Sequence, residues 1–257
     1  MRRPDWWSQH HPSHIPDRDQ WNNWRNNSYR FITNDWHNHW GDYGHWFDKD
    51  FWHDHPNFPY HFNPGVNWWA WAAWPNVIGW VNPGWTSPIY YNYGDNVYYD
   101  QGQVYYGDQV YASADEYAQQ AEQIATTPPA QPPAEDDWMP LGVFALTQDG
   151  QSVGVEPTTY LQLAVSKQLV IAGTLQNTAT GSVQSIEGAV DEASQRAAWT
   201  VSGQTRPIME TGLPNLTQDT APALVHFADG TTQQWLLVRV DQPQSTPTAA
   251  APLSPPQ

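Results

Sequence analysis

Five residues in the first quarter of the chain have side chains that bind transition metals. His37 and His39 form one H-x-H pair, and His53, Asp54 and His55 form another. Imidazole and carboxylate groups ligate zinc, copper and nickel, and residues i and i+2 of an extended strand share one face. Two such pairs that converged would hold a divalent metal. The spacing matches no fixed catalytic motif, so the alternative is a biased segment with adventitious metal affinity and no resident cofactor.

Aromatic residues are the second group that could carry function. The 257 residues include 17 Trp and 13 Tyr. Exposed aromatic rings dominate binding interfaces because they combine a large apolar face with a polar edge. We expect an aromatic interaction surface that includes Trp68, Trp69, Trp71, Trp74, Tyr98, Tyr99, Tyr105 and Tyr106. The alternative is that these rings replace missing aliphatic side chains and pack locally or against a β domain.

Four carboxylates in the C-terminal half could include a pair for glycoside hydrolysis, namely Glu187, Asp191, Glu192 and Glu210. Nothing in their spacing selects two of them, and turn or rim positions explain all four. The sequence also lacks a nucleophile elbow, a P-loop and a glycine-rich dinucleotide motif. We therefore expect that the protein is not an enzyme.

Three basic side chains interrupt apolar runs in the same half. We expect Arg196 and Arg239 to pair with acids of this set of four. His226 stands between apolar neighbours, and we interpret it as a strand histidine with a hydrogen-bond partner rather than as a catalytic base.

The composition excludes several classes of protein. Ten Lys and Arg against 26 Asp and Glu give a formal net charge of -16, which removes the basic footprint of a nucleic-acid binder. Cysteine is absent, so disulfides and cysteine zinc sites are excluded. The apolar stretch 66–81 is shorter than the ~20 residues of a spanning helix and contains Pro75. We expect no transmembrane helix.

The first 85 residues divide into two parts. Residues 1–65 hold nine of the ten histidines and almost no aliphatic residues, so we interpret them as a low-complexity segment that is irregular or partly helical. Residues 66–85 predict short apolar helical pieces. Asn67 would cap the first piece and Pro75 would end it.

Residues 86–112 contain an internal repeat, in which the motif Tyr-Gly-Asp begins at Tyr93 and again at Tyr106. Short β-favouring runs between glycine turns predict tight hairpins with three or four strands. A capping box of Ser113 and Glu116 then opens a helix over 113–126. Residues 127–137 form a proline-rich linker.

The remaining residues predict a separate β domain over 138–241. Apolar and polar residues alternate there, and turn dipeptides separate about eight strands without a helix. The strands are predicted at 141–148, 159–166, 169–175, 183–190, 197–202, 207–211, 223–228 and 232–240. The fold class is therefore mainly β, with a largely irregular aromatic-rich N-terminal half and a C-terminal antiparallel barrel or sandwich. We favour a small barrel and expect a disordered tail over 242–257.

The order of these segments resembles a known family. A His/Trp/Asp-rich start, WWAWAAWPNVIGWVNPGW, the repeat NYGDNVYYDQGQVYYGDQVY and a β domain opening with WMPLGVFALTQDGQ follow one another. Together they are similar to planctomycete cell-surface proteins that carry the inherited label "mu-protocadherin". The resemblance covers about residues 30–241. The clustered acidic motifs of calcium-binding cadherin repeats are absent, so the label itself is not supported.

The resemblance implies a bacterial cell-envelope or secreted protein without an assigned activity or ligand residues. Family members begin with a signal peptide, whereas this sequence lacks the apolar run of about 7–15 residues near its start. A truncated start is the simplest explanation. We expect a non-enzymatic interaction or structural module whose partner is a wall polymer, the membrane interface or an envelope protein. The alternatives are metal binding by the histidine-rich segment and a small-ligand-binding barrel.

Overall fold

The computed structural model describes residues 18–35, 46–60, 62–81, 84–129, 131–148 and 154–242. The predicted disordered tail lies outside the described residues except for Gln242. The expectation of a mainly β fold with a C-terminal barrel is confirmed.

Eight antiparallel strands close into a barrel in the C-terminal half. Consecutive strands pair throughout, and the last strand pairs with the first, for example Leu237 with Leu146. Every predicted strand is present, with bounds that differ by at most three residues. The barrel strands are β4 (Trp138–Gln148), β5 (Thr159–Ser166), β6 (Val170–Asn177), β7 (Ser182–Val190), β8 (Arg196–Val201), β9 (Ile208–Gly212), β10 (Thr220–His226) and β11 (Thr232–Val240).

The inside of the barrel is packed with large apolar side chains. Alternate residues of each strand point inward, and buried rings and aliphatic chains such as Phe144, Leu163, Trp199 and Trp235 form one cluster there. A lumen filled in this way is a protein core. It leaves binding to the outer surface.

Among the residues that the structure describes, four α-helices precede the barrel: α1 (Arg18–Arg30), α2 (Lys49–Asp54), α3 (Trp74–Val81) and α4 (Ala114–Thr126). A π-helical turn, Phe31–Asp35, continues α1, so the histidine-rich segment is partly helical. None of the described helices has the length and apolar character needed to cross a membrane.

The prediction for the apolar stretch is wrong in one respect. Asn67 forms a turn, with its Oδ1 atom 3.1 Å from the amide nitrogen of Trp69, and no helix follows it directly. Pro75 lies in the first turn of α3 instead of ending a preceding helix. Proline is well tolerated there because the first helical N–H groups have no intrahelical acceptor. Trp74 and Val77 of α3 join the interior cluster, so α3 closes one end of the barrel.

The aromatic N-terminal half packs against the outside of the barrel. Phe47, Phe62, Trp68 and Trp69 form one buried cluster with outward-facing residues of β4, β5, β6 and β11, such as Tyr160. This is the alternative considered from the sequence, in which aromatic rings replace aliphatic side chains. The barrel is therefore apolar on both faces of these strands.

A second unit covers the other side of the barrel. The predicted hairpins are present as a three-stranded sheet of β1 (Val97–Asp100), β2 (Gln103–Tyr106) and β3 (Gln109–Ser113). Helix α4 follows directly and packs on β7, β8 and β9. Buried apolar residues of the sheet and of α4 contact the outward-facing Leu224, Ala198 and Ile208 of the barrel. The hairpins and α4 therefore depend on the barrel for their core.

Candidate functional site

Helix α4 forms one wall of an open cleft. The Ser113 Oγ atom accepts a hydrogen bond from the Glu116 amide at 3.3 Å, and the Glu116 Oε2 atom accepts one from the Ser113 amide at 2.9 Å. This capping box fixes where the helix begins. Tyr117, Ala121 and Ala125 then face the barrel. The adjacent face of the helix carries polar residues along the cleft, namely Gln120, Gln123 and Thr127.

The turn between β7 and β8 forms the opposite wall. Asp191 Oδ2 accepts a hydrogen bond from the Ser194 amide at 2.8 Å, which stabilises the turn from within. Neighbouring segments hold it from outside, because the Trp85 Nε1 atom donates to the Glu192 carbonyl at 2.9 Å and the Tyr91 hydroxyl donates to the Ser194 carbonyl at 2.9 Å. This wall is therefore fixed before any ligand arrives.

A β-bulge places an aromatic ring at the rim of the cleft. In the β2–β3 ladder Val104 pairs with Ala112 and Tyr105 pairs with Val110, so Tyr111 is the extra residue. Bulges re-aim side chains. The Tyr111 ring lies edge-on to Tyr117, with centroids 5.7 Å apart, and 45 % of Tyr111 remains exposed.

We call the space between these walls the α4–turn cleft. Its volume is about 470 Å³, within the range of small-molecule sites. Amide, hydroxyl, carboxylate and guanidinium groups line it together with apolar side chains. The lining residues are Tyr111, Gln120, Gln123, Ile124, Thr127, Ala189, Val190, Asp191, Glu192, Ser194 and Arg196.

A buried ion network lies beneath the cleft. Arg196 donates to Glu210 Oε2 from Nε at 2.9 Å and from Nη2 at 2.6 Å. His226 Nε2 lies 2.6 Å from Glu210 Oε1, and His226 Nδ1 lies 2.9 Å from the Thr232 hydroxyl. The side chains of Arg196, Glu210 and His226 are at most 1 % exposed. The expectations that Arg196 pairs with an acid and that His226 has a hydrogen-bond partner are confirmed.

Burial and charge act in opposite directions on this network. Burial alone would raise the pKa of Glu210, but Arg196 and His226 together hold it below its ordinary value. Burial would likewise lower the pKa of Arg196, but the carboxylate of Glu210 raises it above its ordinary value. The pair therefore remains charged at neutral pH.

The network reaches the cleft through Arg196, which lines the cleft and forms a hydrogen bond with Gln120. Arg196 Nη1 donates to Gln120 Oε1 at 2.8 Å, and its guanidinium stacks on the Tyr117 ring at 3.8 Å from the centroid. The amide oxygen of Gln120 is thereby held toward Arg196. This leaves the Nε2 donor for the cleft.

The prediction that Arg239 pairs with one of those four carboxylates is wrong. Its guanidinium donates to the carbonyl oxygens of Leu141 at 2.7 Å, Leu216 at 2.7 Å and Gln218 at 3.1 Å. Burial lowers the pKa of Arg239 to about 10. It lies over the Trp71 ring, 4.5 Å from the centroid. Arg239 therefore links β4, β11 and the segment around Leu216 at one end of the barrel.

The predicted aromatic surface is divided by the structure. Trp68, Trp69 and Trp74 are buried, so their assignment to an exposed surface is wrong. These tryptophans pack in the core because few aliphatic residues precede them in the sequence. Trp71 and Tyr106 are exposed, whereas Tyr98, Tyr99 and Tyr105 are partly buried, and the rings of Tyr98 and Tyr105 stack with centroids 5.0 Å apart.

The predicted metal ligands are only partly visible. His37 and His39 lie outside the described residues. His53 lies in the last turn of α2 next to Asp54, and its side chain is 88 % exposed. The His55 ring stacks on Phe51 and places Nδ1 2.7 Å from the Phe51 carbonyl. We expected the rings of His53 and His55 to share one face of a strand. Because His53 is helical, they do not. No group of three or more metal-binding side chains occurs among the described residues.

The four carboxylates considered for glycoside chemistry are dispersed. Glu210 is buried in the ion network, and Asp191 caps its own turn. Glu187 accepts a hydrogen bond from the Gly203 amide at 3.2 Å, and only Asp191 and Glu192 reach the cleft. Glu210, Asp191 and Glu187 therefore each have a structural partner.

Comparisons with known proteins gave no match among protein-family models, curated proteins or solved structures.

Sequence reasoning missed most of the cleft. Gln120 and Gln123 resemble an ordinary solvated helix face, and Tyr111 resembles the other tyrosines of the repeat. One signal was present: the second repeat copy ends in Val-Tyr-Ala instead of Val-Tyr-Tyr and runs directly into the capping box. That departure marks the position of the bulge.

Proposed function

We propose that the chain is a non-enzymatic interaction module of a bacterial cell envelope and that it binds its partner in the α4–turn cleft. The envelope setting rests on the resemblance to planctomycete cell-surface proteins. The observation that carries the proposal is the half-exposed Tyr111, which a β-bulge places beside a cleft of about 470 Å³. An exposed aromatic ring on a rigid support is typical of binding sites.

The roles of the charged residues favour binding over catalysis. General acid–base chemistry needs a titratable group that reaches a bound substrate. His226 and Glu210 are buried and bound to each other, and Asp191 is engaged with Ser194. Besides Asp191, Glu192 and Arg196, the polar groups that face the cleft are amides and hydroxyls, which bind ligands but seldom transfer protons.

A retention experiment with the full chain tests the proposal. The immobilised protein is incubated with envelope fractions of a planctomycete, and the retained material is compared with a buffer control. Tyr111→Ala should lose most of the retention. Val110→Ala is the matched control, since Val110 is 57 % exposed on the same strand but does not line the cleft. Equal retention by both variants would contradict the role of the cleft.

A further inference from the structure

We infer that the α4–turn cleft binds an uncharged saccharide segment of an envelope polymer. This inference rests on the proposed function and names the chemical class of the partner. It is argued from the ring at the rim, the planar polar groups of the two walls, and the charge of the lining.

The ring supplies the apolar contact. A sugar ring has one face of C–H groups and a periphery of hydroxyl groups, so it stacks on an aromatic side chain and forms hydrogen bonds at its edge. Tyr111 is 45 % exposed, and its edge contact with Tyr117 fixes the ring without covering it. The stacking surface is therefore already oriented in the free protein.

The walls supply the polar contacts. Adjacent hydroxyls of a sugar are both donors and acceptors, and planar amide or carboxylate groups can contact two of them at once. Gln120 and Gln123 stand on the helical wall, with Asp191 and Glu192 on the opposite one. Such groups on facing walls suit a ligand with hydroxyls around its periphery.

Arg196 acts as a positioning residue for this set. It is 1 % exposed, is fixed from below by Glu210 and donates from Nη1 to Gln120 Oε1. The orientation of the Gln120 amide is thus set by a charge inside the molecule. A pre-oriented donor reduces the entropy lost on binding.

The charge of the lining selects against anionic polymers. The guanidinium of Arg196 is offset by Glu210 directly beneath it, so Asp191 and Glu192 determine the sign at the cleft. A chain with a formal net charge of -16 adds to that field. Phosphate-bearing or uronic-acid polymers and anionic lipid surfaces are therefore disfavoured, and an uncharged sugar is favoured.

The first test treats the envelope fraction before retention by the full chain. Periodate cleaves the vicinal diols that 1,4-linked neutral hexoses carry at C2 and C3, whereas a protease removes proteins and leaves the sugars intact. We expect periodate to abolish the Tyr111-dependent retention and protease to preserve it. The reverse result would mean a protein partner and would overturn the saccharide inference, while the proposed interaction function would stand. The saccharide inference would also be overturned if the immobilised chain retained anionic lipid vesicles instead of the polymer and this retention depended on Tyr111.

The second test uses defined probes in calorimetry: neutral 1,4-linked glucan oligosaccharides, with an oligogalacturonide as the anionic counterpart. A neutral probe should bind to the wild type. Tyr111→Ala should weaken this binding about tenfold, and Tyr111→Phe, which keeps the ring, should bind several-fold tighter than the alanine variant.

Gln123→Ala should weaken binding of the neutral probe about fivefold. Gln119→Ala is its control, because Gln119 is exposed on α4 outside the cleft. Equal binding of the oligogalacturonide would overturn the charge argument.

Discussion

The fully buried carboxylate of Glu210 accepts two hydrogen bonds from Arg196 through a single oxygen, Oε2, which leaves Oε1 for His226. Residues 196 and 210 belong to neighbouring strands of the barrel, and helix α4 covers both. Removing either partner leaves an uncompensated charge in a water-excluded layer. The energetics of the pair are therefore asymmetric: its loss costs far more than its formation contributes.

Glu210→Gln should destabilise the protein by about 3–5 kcal/mol, because the Arg196 charge stays buried without a counterion. Urea unfolding followed by circular dichroism measures the change. Glu122→Gln is the control: it removes the partner of Arg206 at the surface, where Glu122 is 39 % exposed, and should cost less than about 1 kcal/mol. Similar losses for the two variants would show that the buried network is not the stronger constraint.

Acid should remove the contribution of Glu210. Its pKa in the folded protein is held below the ordinary value of about 4.3, so the carboxylate stabilises the fold above that pH. The contribution should decrease as the pH falls from about 4.3 through the lowered pKa of the folded state. Free energies of unfolding from pH 7 to pH 3 should decrease less steeply for Glu210→Gln than for the wild type. Parallel profiles would contradict the assigned pKa direction.

Gly142→Ala should destabilise the fold more than the same substitution at Gly154. Gly142 has φ 105°, and a Cβ atom there would overlap Arg239 Nη1. Gly154→Ala is the matched control, since Gly154 has φ 98° but no atom within 4 Å of the added Cβ. Backbone strain alone should cost about 1–3 kcal/mol at either site. Displacing Arg239 from its carbonyl acceptors should add about 2 kcal/mol at Gly142. Equal melting temperatures would show that Arg239 does not anchor this end of the barrel.

Two tryptophans three residues apart should respond differently to truncation. Trp68 is 1 % exposed in the aromatic cluster, so Trp68→Ala should cost about 3–5 kcal/mol. Trp71 is 46 % exposed and mainly contacts Arg239 with its ring, so Trp71→Ala should cost about 0.5–2 kcal/mol. Chemical denaturation of both variants measures the difference. A larger loss of stability for Trp71→Ala than for Trp68→Ala would contradict the burial of Trp68.

The elements that could be predicted from sequence are those with local signals. Strands β5 and β11 match their predicted bounds because alternation and flanking turns define them, and the capping box located α4. A proline such as Pro75 is ambiguous in a sequence, because proline is common both in the first turn of a helix and just after the end of a helix. Its role was decided by Trp74 and Val77, which insert into the barrel. No local pattern contained that contact.

The site was harder to predict because its parts are distant in the sequence. Arg196 and Gln120 are separated by 76 positions, and the Trp85–Glu192 contact spans 107. Charged residues on an outward strand face usually contact water, but here α4 covers Arg196 and Glu210. The burial of Trp68 and Trp69 was equally hidden, since an irregular segment has no period that identifies its inner face.

Closure of the barrel has a consequence for synthesis on the ribosome. The pairing of β11 with β4 joins residues roughly 90 positions apart, such as Val143 and Val240. At about 5–20 residues per second, the last strand emerges on the order of 5–20 s after the first. Throughout that interval Phe47, Trp68 and Trp69 have no completed sheet on which to pack. Nascent chains should therefore engage chaperones through their N-terminal aromatic half, and release should coincide with synthesis of the final strand.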